Sequence, residues 1–147
     1  MKNLIIFYLA FSILSVNAIT FDDFVLAINK VETGGKTSAI LGDYDKISKT
    51  YKALGSLQIH FVCWKDAVEF NPSIKGKYQD CADFKYSKKV MEAYFRRYVP
   101  DFNPLSTLTI KDCERMARVW SGGPVGYKKD STIKYWNKVK AALDNSH

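Results

Sequence analysis

The sequence predicts an α+β chain that is mostly α. Apolar residues recur at helical spacing in five stretches, and two Thr-x-x-Asp pairs stand immediately before two of them. The polar segment 36–54 instead carries β-branched residues around the turn signal Gly42-Asp43-Tyr44-Asp45, which fits a short hairpin or irregular β region.

The elements follow in order. Thr20 and Asp23 form a capping-box pattern, after which Phe21, Phe24, Val25, Ile28 and Val31 mark one helix face. Gly34 and Gly35 end that helix at Glu32 or Thr33. Residues 57–70 read as a second helix, with Ile59, Val62, Cys63, Trp64 and Ala67 apolar, and 71–83 as a loop. Residues 84–99 read as a third helix, with Tyr86, Val90, Ala93, Tyr94 and Tyr98 on one side and Pro100 closing it. Thr109 and Asp112 cap a fourth, which carries Ile110, Cys113, Ala117 and Trp120 and stops at Gly122-Gly123-Pro124. Asp130 or Ser131 is expected to cap the last helix, with Ile133, Trp136, Val139 and Leu143 facing inward.

The start of the chain has the layout of a secretory signal: Lys2, an apolar run from Leu4 to Leu14, then Ser15-Val16-Asn17-Ala18. A membrane anchor needs about 20 apolar residues, which this run does not supply. Residues 1–18 are therefore expected to be removed, leaving 19–147 as one domain in the secretory route, outside the cell or in a lysosome- or phagosome-like compartment. The whole chain has 22 basic and 15 acidic residues; without Lys2 the remainder stands at +6. Such a charge draws a protein toward anionic polymers and does not by itself choose among them.

Cys63, Cys81 and Cys113 are the three cysteines, an odd number for an oxidising compartment. Three pairings are open. Cys63 with Cys81 is the favoured one, because it would tie the loop containing Asn71-Pro72-Ser73 to the second helix. With no CxxC pair and two histidines, no metal site is expected.

Glu32 is the candidate for chemistry. At a helix C-terminus it meets the negative end of the macrodipole, and burial against the apolar face would also disfavour its charged form. Both effects raise its pKa, as a general acid near neutral pH requires. Taken alone, a glutamate at a helix end is more often an ordinary surface residue. Its neighbours in sequence change that balance.

Val31-Glu32-Thr33-Gly34-Gly35 resembles the Glu-Ser-Gly segment carrying the catalytic acid of the invertebrate-type, or destabilase-like, lysozymes. It is more distantly similar to goose-type lysozymes and lytic transglycosylases. Gly55-Ser56-Leu57-Gln58-Ile59 followed by Trp64-Lys65-Asp66 resembles that family's Gly-x-Phe-Gln-Ile and Trp-x-Asp. The stretch Ala117-Arg118-Val119-Trp120-Ser121-Gly122-Gly123-Pro124-Val125-Gly126, with Tyr135-Trp136 and Val139 after it, resembles Ala-Arg-Ile-His-Asn-Gly-Gly-Pro-x-Gly and Tyr-Trp-x-x-Val.

The resemblance implies a lysozyme-like fold with a small β-hairpin beside a cleft. It implies hydrolysis of the β-1,4 bond between N-acetylmuramic acid and N-acetylglucosamine in bacterial peptidoglycan, with Glu32 as acid and Asp43 as nucleophile or stabiliser. Asp45 is the alternate, because the loop from Asp43 to Gly55 is longer than the family's. Gln58, Ser121, Gly122 and Gly123 are expected cleft contacts, and Tyr51, Tyr44 and Tyr127 candidate sugar-stacking rings. The alternatives are a transglycosylase-like enzyme with a single catalytic glutamate and a non-catalytic wall-binding module. The partner is expected to be peptidoglycan, with no nucleic acid, no stable membrane insertion, no cofactor and a monomeric state. Two departures stand out: the family is rich in cysteine where this chain has three, and its His-Asn is here Trp120-Ser121.

Overall fold

The computed structural model describes residues 18–38, 40–47 and 49–146. The expected signal segment lies outside them apart from Ala18. Five helices and two small hairpins make up the fold, α+β and mostly α as the sequence predicts. The order is α1 (Phe21–Thr33), β1 (Tyr44–Asp45), β2 (Thr50–Tyr51), β3 (Ala53–Leu54), β4 (Ile59–His60), α2 (Phe61–Phe70), α3 (Phe84–Tyr98), α4 (Ile110–Gly122) and α5 (Ile133–Asp144). Single 3-10 turns at Tyr78–Ala82, Gly126–Lys128 and Asp130–Thr132 connect them.

Both predicted capping boxes form. Thr20 Oγ1 accepts from the Asp23 amide at 3.1 Å while the Thr20 amide donates to the Asp23 carboxylate at 2.8 Å. Thr109 and Asp112 repeat that geometry at the start of α4. Two of each helix's unpaired N–H groups are satisfied this way, and an acid sits at the positive end of the dipole. At the other end of α1, Gly34 takes a left-handed conformation, φ 70°, and its amide bonds back to the helix carbonyls.

The core is aromatic at its centre. Phe95 of α3 is fully buried, with the rings of Phe24, Phe102 and Trp120 at 5.9, 5.8 and 5.8 Å and Phe21 at 6.4 Å. Phe24 and Ile28 of α1, Val119 of α4 and Val139 of α5 are fully buried with it. A bridge between Ile19 and Leu108 ties the approach to α1 to the approach to α4.

Several expectations need correction. The signal Gly42-Asp43-Tyr44-Asp45 is not the turn: Tyr44 and Asp45 are strand β1, paired with Tyr51 and Thr50, and the chain reverses after them. Helix α2 begins at Phe61, not Leu57, because Gln58 has a positive φ of 49° and Ile59-His60 pair with Ala53-Leu54 as β4. Neither Asp130 nor Ser131 caps α5. Both lie in a 3-10 turn, and Thr132 before the helix spends its hydroxyl on the Gly126 carbonyl at 2.9 Å and the Lys129 carbonyl at 2.7 Å. Ile133 is 41 % exposed, whereas Trp136, Val139 and Leu143 face inward.

The Cys63–Cys81 disulfide is also not formed; all three cysteines are free thiols. Burial holds them as thiols, pushing Cys81 and Cys113 up to about 12 and Cys63 higher still. The thiolate that disulfide exchange needs is then scarce. Stability rests on the packed core instead.

Candidate active site

The end of α1 is stapled to the β3–β4 turn, and this sets the position of Glu32. Buried Asn29, one helical turn before it, donates its side-chain amide to the Lys36 carbonyl at 2.8 Å, to Thr33 Oγ1 at 3.0 Å and to the Ser56 carbonyl at 3.2 Å. Thr33 Oγ1 also donates to the Ser56 carbonyl, at 3.0 Å. The turn held in this way needs Gly55. Its φ is 74°, and an added Cβ would lie 1.9 Å from the Cys81 carbonyl oxygen. Gln58 closes the turn in the left-handed region, its Nε2 donating to the Gly55 carbonyl at 2.9 Å. Strain of this kind in a non-glycine residue collects at functional sites.

A second, more distant constraint comes from α5. Tyr135 donates its hydroxyl to Glu32 Oε1 at 2.5 Å across 103 residues of sequence. The Gly-rich segment after α4 shapes the approach to α5. Gly126 packs so tightly that a Cβ would lie 1.9 Å from the Arg118 carbonyl oxygen. Arg118 in turn bonds Glu114 at 2.9 Å, Thr132 Oγ1 at 3.0 Å and the Lys129 carbonyl at 3.2 Å. Much of the quoted Ala-Arg to Gly motif is thus scaffolding that delivers Tyr135 to the acid.

Glu32 and Tyr135 open onto a cavity of about 470 Å³. Of the residues singled out from the sequence, Gln58, Ser121 and Gly123 line it together with Pro124. Trp120 and Tyr94 supply an aromatic wall, their rings 5.9 Å apart and nearly perpendicular. Burial raises the Glu32 pKa above its ordinary value; the Tyr135 hydrogen bond and the charge of Lys138 oppose that rise without cancelling it. Tyr135 is itself held neutral by burial and by the adjacent carboxyl. The arrangement is a carboxyl group that holds its proton to higher pH than a free glutamate does, with one oxygen fixed by a hydroxyl donor.

The remaining candidates lie elsewhere. Asp43, Asp45, Tyr51 and Gly122 are not among the described side chains lining this cavity. Asp43 is exposed at the entrance to β1. Asp45 Oδ1 accepts from the Ile47 amide at 2.9 Å, so this carboxylate orders its own turn. Tyr51 packs edge-on against Tyr44 at 5.2 Å, and Tyr127 lies under the Arg115 guanidinium at 4.6 Å. Gly122 presents its carbonyl to Lys129 Nζ at 2.6 Å.

The sequence reading had not singled out Tyr135 or Asp66 as site residues, and Asp66 lines the cavity. Both stood inside quoted motifs, but only their tertiary neighbours give them a task.

Residues 30–142 match the Destabilase family, a span that contains Glu32, Asp66 and Tyr135. The chain belongs to the destabilase family of invertebrate-type lysozymes. Among destabilase relatives, a lysozyme of Magallana gigas is 34 % identical over 86 residues, 58 % of this chain and 56 % of its own length. The match to it therefore spans little more than half of that relative. A lysozyme of Meretrix lusoria is 32 % identical over 115 residues, 77 % of this chain and 82 % of its own. The crystal structure of Tapes japonica lysozyme superposes with a TM-score of 0.60 at 25 % identity, covering 83 % of this chain and 89 % of that one. The lysozyme-like fold thus agrees with the family. Among the described residues no helix is long and apolar enough to cross a membrane, and no group of His, Cys, Asp and Glu could hold a metal ion.

Proposed function

We propose that this destabilase-family chain is a lysozyme, a glycoside hydrolase cutting the β-1,4 bond between N-acetylmuramic acid and N-acetylglucosamine in bacterial peptidoglycan. The observation that carries the reading is Glu32: partly buried, its pKa raised, one oxygen held by Tyr135, and lining a cavity of about 470 Å³. Protonation of the departing glycosidic oxygen is the step such a group performs. Asp43 is the second carboxylate of this proposal. It stands at the mouth of the β1–β2 hairpin, and among the described residues its side chain has no hydrogen-bond partner, whereas Asp45 is committed to its own turn. The net charge of +6 left after residues 1–18 brings the enzyme to an anionic wall, with an effect that fades as salt rises. Export through residues 1–18 belongs to the same proposal.

One observation favours a second reading. Asp43 does not line the cavity that Glu32 lines, as a transglycosylase-like enzyme with one catalytic carboxyl would allow. Clearing of a peptidoglycan suspension by wild type, Glu32→Gln and Asp43→Asn, with mass analysis of the products, separates the cases. Loss of the acid should reduce clearing by at least about a hundredfold. Equal clearing by wild type and Glu32→Gln refutes the assignment. Asp43→Asn that stays active and yields 1,6-anhydro ends selects the single-carboxylate mechanism, while water-added reducing ends from wild type and an inactive Asp43→Asn support hydrolysis. Binding without clearing by wild type would mark a non-catalytic module.

A further inference from the structure

The cavity beside Glu32 has a charge balance opposite to that of the chain. The chain carries +7, yet among the described residues the cavity wall has two acids, Glu32 and Asp66, and no lysine or arginine. Its remaining ionisable side chains are His60, Cys63, Tyr94 and Tyr135.

Asp66 is fixed from behind. It stands in the second turn of α2, and its Oδ2 accepts from the Tyr98 hydroxyl at 2.8 Å. Arg97, which does not line the cavity, donates to the Asp66 backbone carbonyl at 2.8 Å and keeps its Nη1 3.7 Å from Oδ1. Oδ1 therefore has a long ionic contact and lone pairs to spare. Gln58 adds its Oε1 as an acceptor, one N–H of its Nε2 going to the Gly55 carbonyl. The result is a pocket rich in acceptors, walled by Trp120 and Tyr94, with no fixed cation to receive an anion.

We propose that Asp66 makes the position beside it in this cavity a subsite for an amino sugar that presents N–H or ammonium donors, and that this one position turns away the carboxylate-bearing sugar of the same polymer, which then occupies the neighbouring position. The identity of the polymer rests on the reading of Glu32 given above. An acetamido N–H or a free ammonium gives Asp66 a charge-assisted hydrogen bond, about twice as strong as a neutral one. A lactyl carboxylate in the same place would sit against a second carboxylate with no partner, a repulsive element that confers specificity. The positive charge of the rest of the chain does not reverse this, because exposed charges beyond about 8 Å are largely screened at physiological ionic strength.

The test is binding rather than turnover. Calorimetric titration of wild type, Glu32→Gln and Asp66→Asn would use three oligosaccharides of equal length: neutral N-acetylglucosamine, its de-N-acetylated cationic form, and one bearing muramic acid carboxylates. Wild type and Glu32→Gln should bind them in the order cationic, neutral, anionic, with at least about tenfold between first and last, and Asp66→Asn should compress this to below about threefold. An unchanged order and spread in Asp66→Asn, or a wild-type preference for the anionic ligand, overturns the proposal. Should Asp66→Asn fail to fold by circular dichroism, the wild-type preference is measured across salt concentration: shrinkage supports a charge origin, and indifference to salt overturns it. The two ideas fail separately. Full wall clearing by Glu32→Gln would remove the acid assignment and leave a charge series intact, whereas a lost series beside an inactive Glu32→Gln would remove only the Asp66 subsite.

Discussion

Replacing Tyr135 by Phe deletes one oxygen and keeps the ring, so it isolates the hydroxyl bond to Glu32. That bond, 2.5 Å long, favours the ionised carboxylate and pulls the Glu32 pKa down, while burial pushes it up by more. A hydrogen bond to a charged group contributes about 1.5–3 kcal/mol, and one pKa unit is about 1.4 kcal/mol. Part of the bond also serves the protonated acid, so deletion should raise the pKa by less than the bond's full contribution would. An enzyme that needs Glu32 protonated loses activity as pH rises through this pKa. In Tyr135→Phe the alkaline limb of the kcat/KM profile should therefore move to higher pH. The same variant leaves the carboxyl less well aimed, so the plateau should fall, by about tenfold if the loss is worth ~1.4 kcal/mol of transition-state stabilisation. The assay is clearing of a wall suspension at fixed ionic strength from acid to alkaline pH, with circular dichroism to confirm the fold. An alkaline limb that stays in place or moves to lower pH would refute the reasoning, whatever happens to the plateau.

Glu32→Gln should be more stable than wild type at neutral pH. The folded-state pKa of Glu32 is raised above its ordinary 4.5, so burying its ionised form opposes folding once pH exceeds that value, and the penalty grows as pH rises through the folded pKa. Thermal melts should show the difference at pH 7 and its disappearance below about pH 4, where both states hold the proton; a variant less stable than wild type at pH 7 contradicts the burial argument. Cys63, Cys81 and Cys113 should resist a thiol reagent in the folded protein at neutral pH and react together in denaturant. Fewer than three titratable thiols after unfolding without reductant would show that a disulfide had been present.

What could be read in the sequence was what depends on nearby residues. The Thr20–Asp23 and Thr109–Asp112 boxes, the stop at Gly34 and the apolar spacing of α1, α3 and α4 are local signals, and they hold except at Ile110, which is 43 % exposed. The β region was harder, because strands of two residues are too short to show alternation. Residues 57–60 carry helix-like apolar spacing, yet the close approach of Gly55 to Cys81 and the positive φ of Gln58 turn them into a hairpin. The last helix misled for a similar reason. Thr132 has the right chemistry for a cap, but tertiary packing directs its hydroxyl to the Gly126 loop. Of the cavity-lining residues, Gln58, Ser121 and Gly123 stand in the motifs that carry the family resemblance, whereas Asp66 gains significance only once Tyr98, Arg97 and the cavity shared with Glu32 are in place.

The acid at residue 32 is therefore a property of the whole fold rather than of its helix. Its helix end supplies the residue. Asn29 and Thr33 lash α1 to the Ser56 carbonyl of the β3–β4 turn, and α5 brings Tyr135 onto the carboxyl, whose pKa burial raises. Burial excludes water and so raises the pKa, while α5 also brings the hydroxyl and Lys138 that restrain the rise. Opposed effects of this kind let small changes tune the working pH without rebuilding the site. They also explain why Arg118 and Gly126, neither of which lines the cavity, belong to the same motif: loosening the loop they form would move Tyr135, and with it both the burial and the hydrogen bond that set the acid.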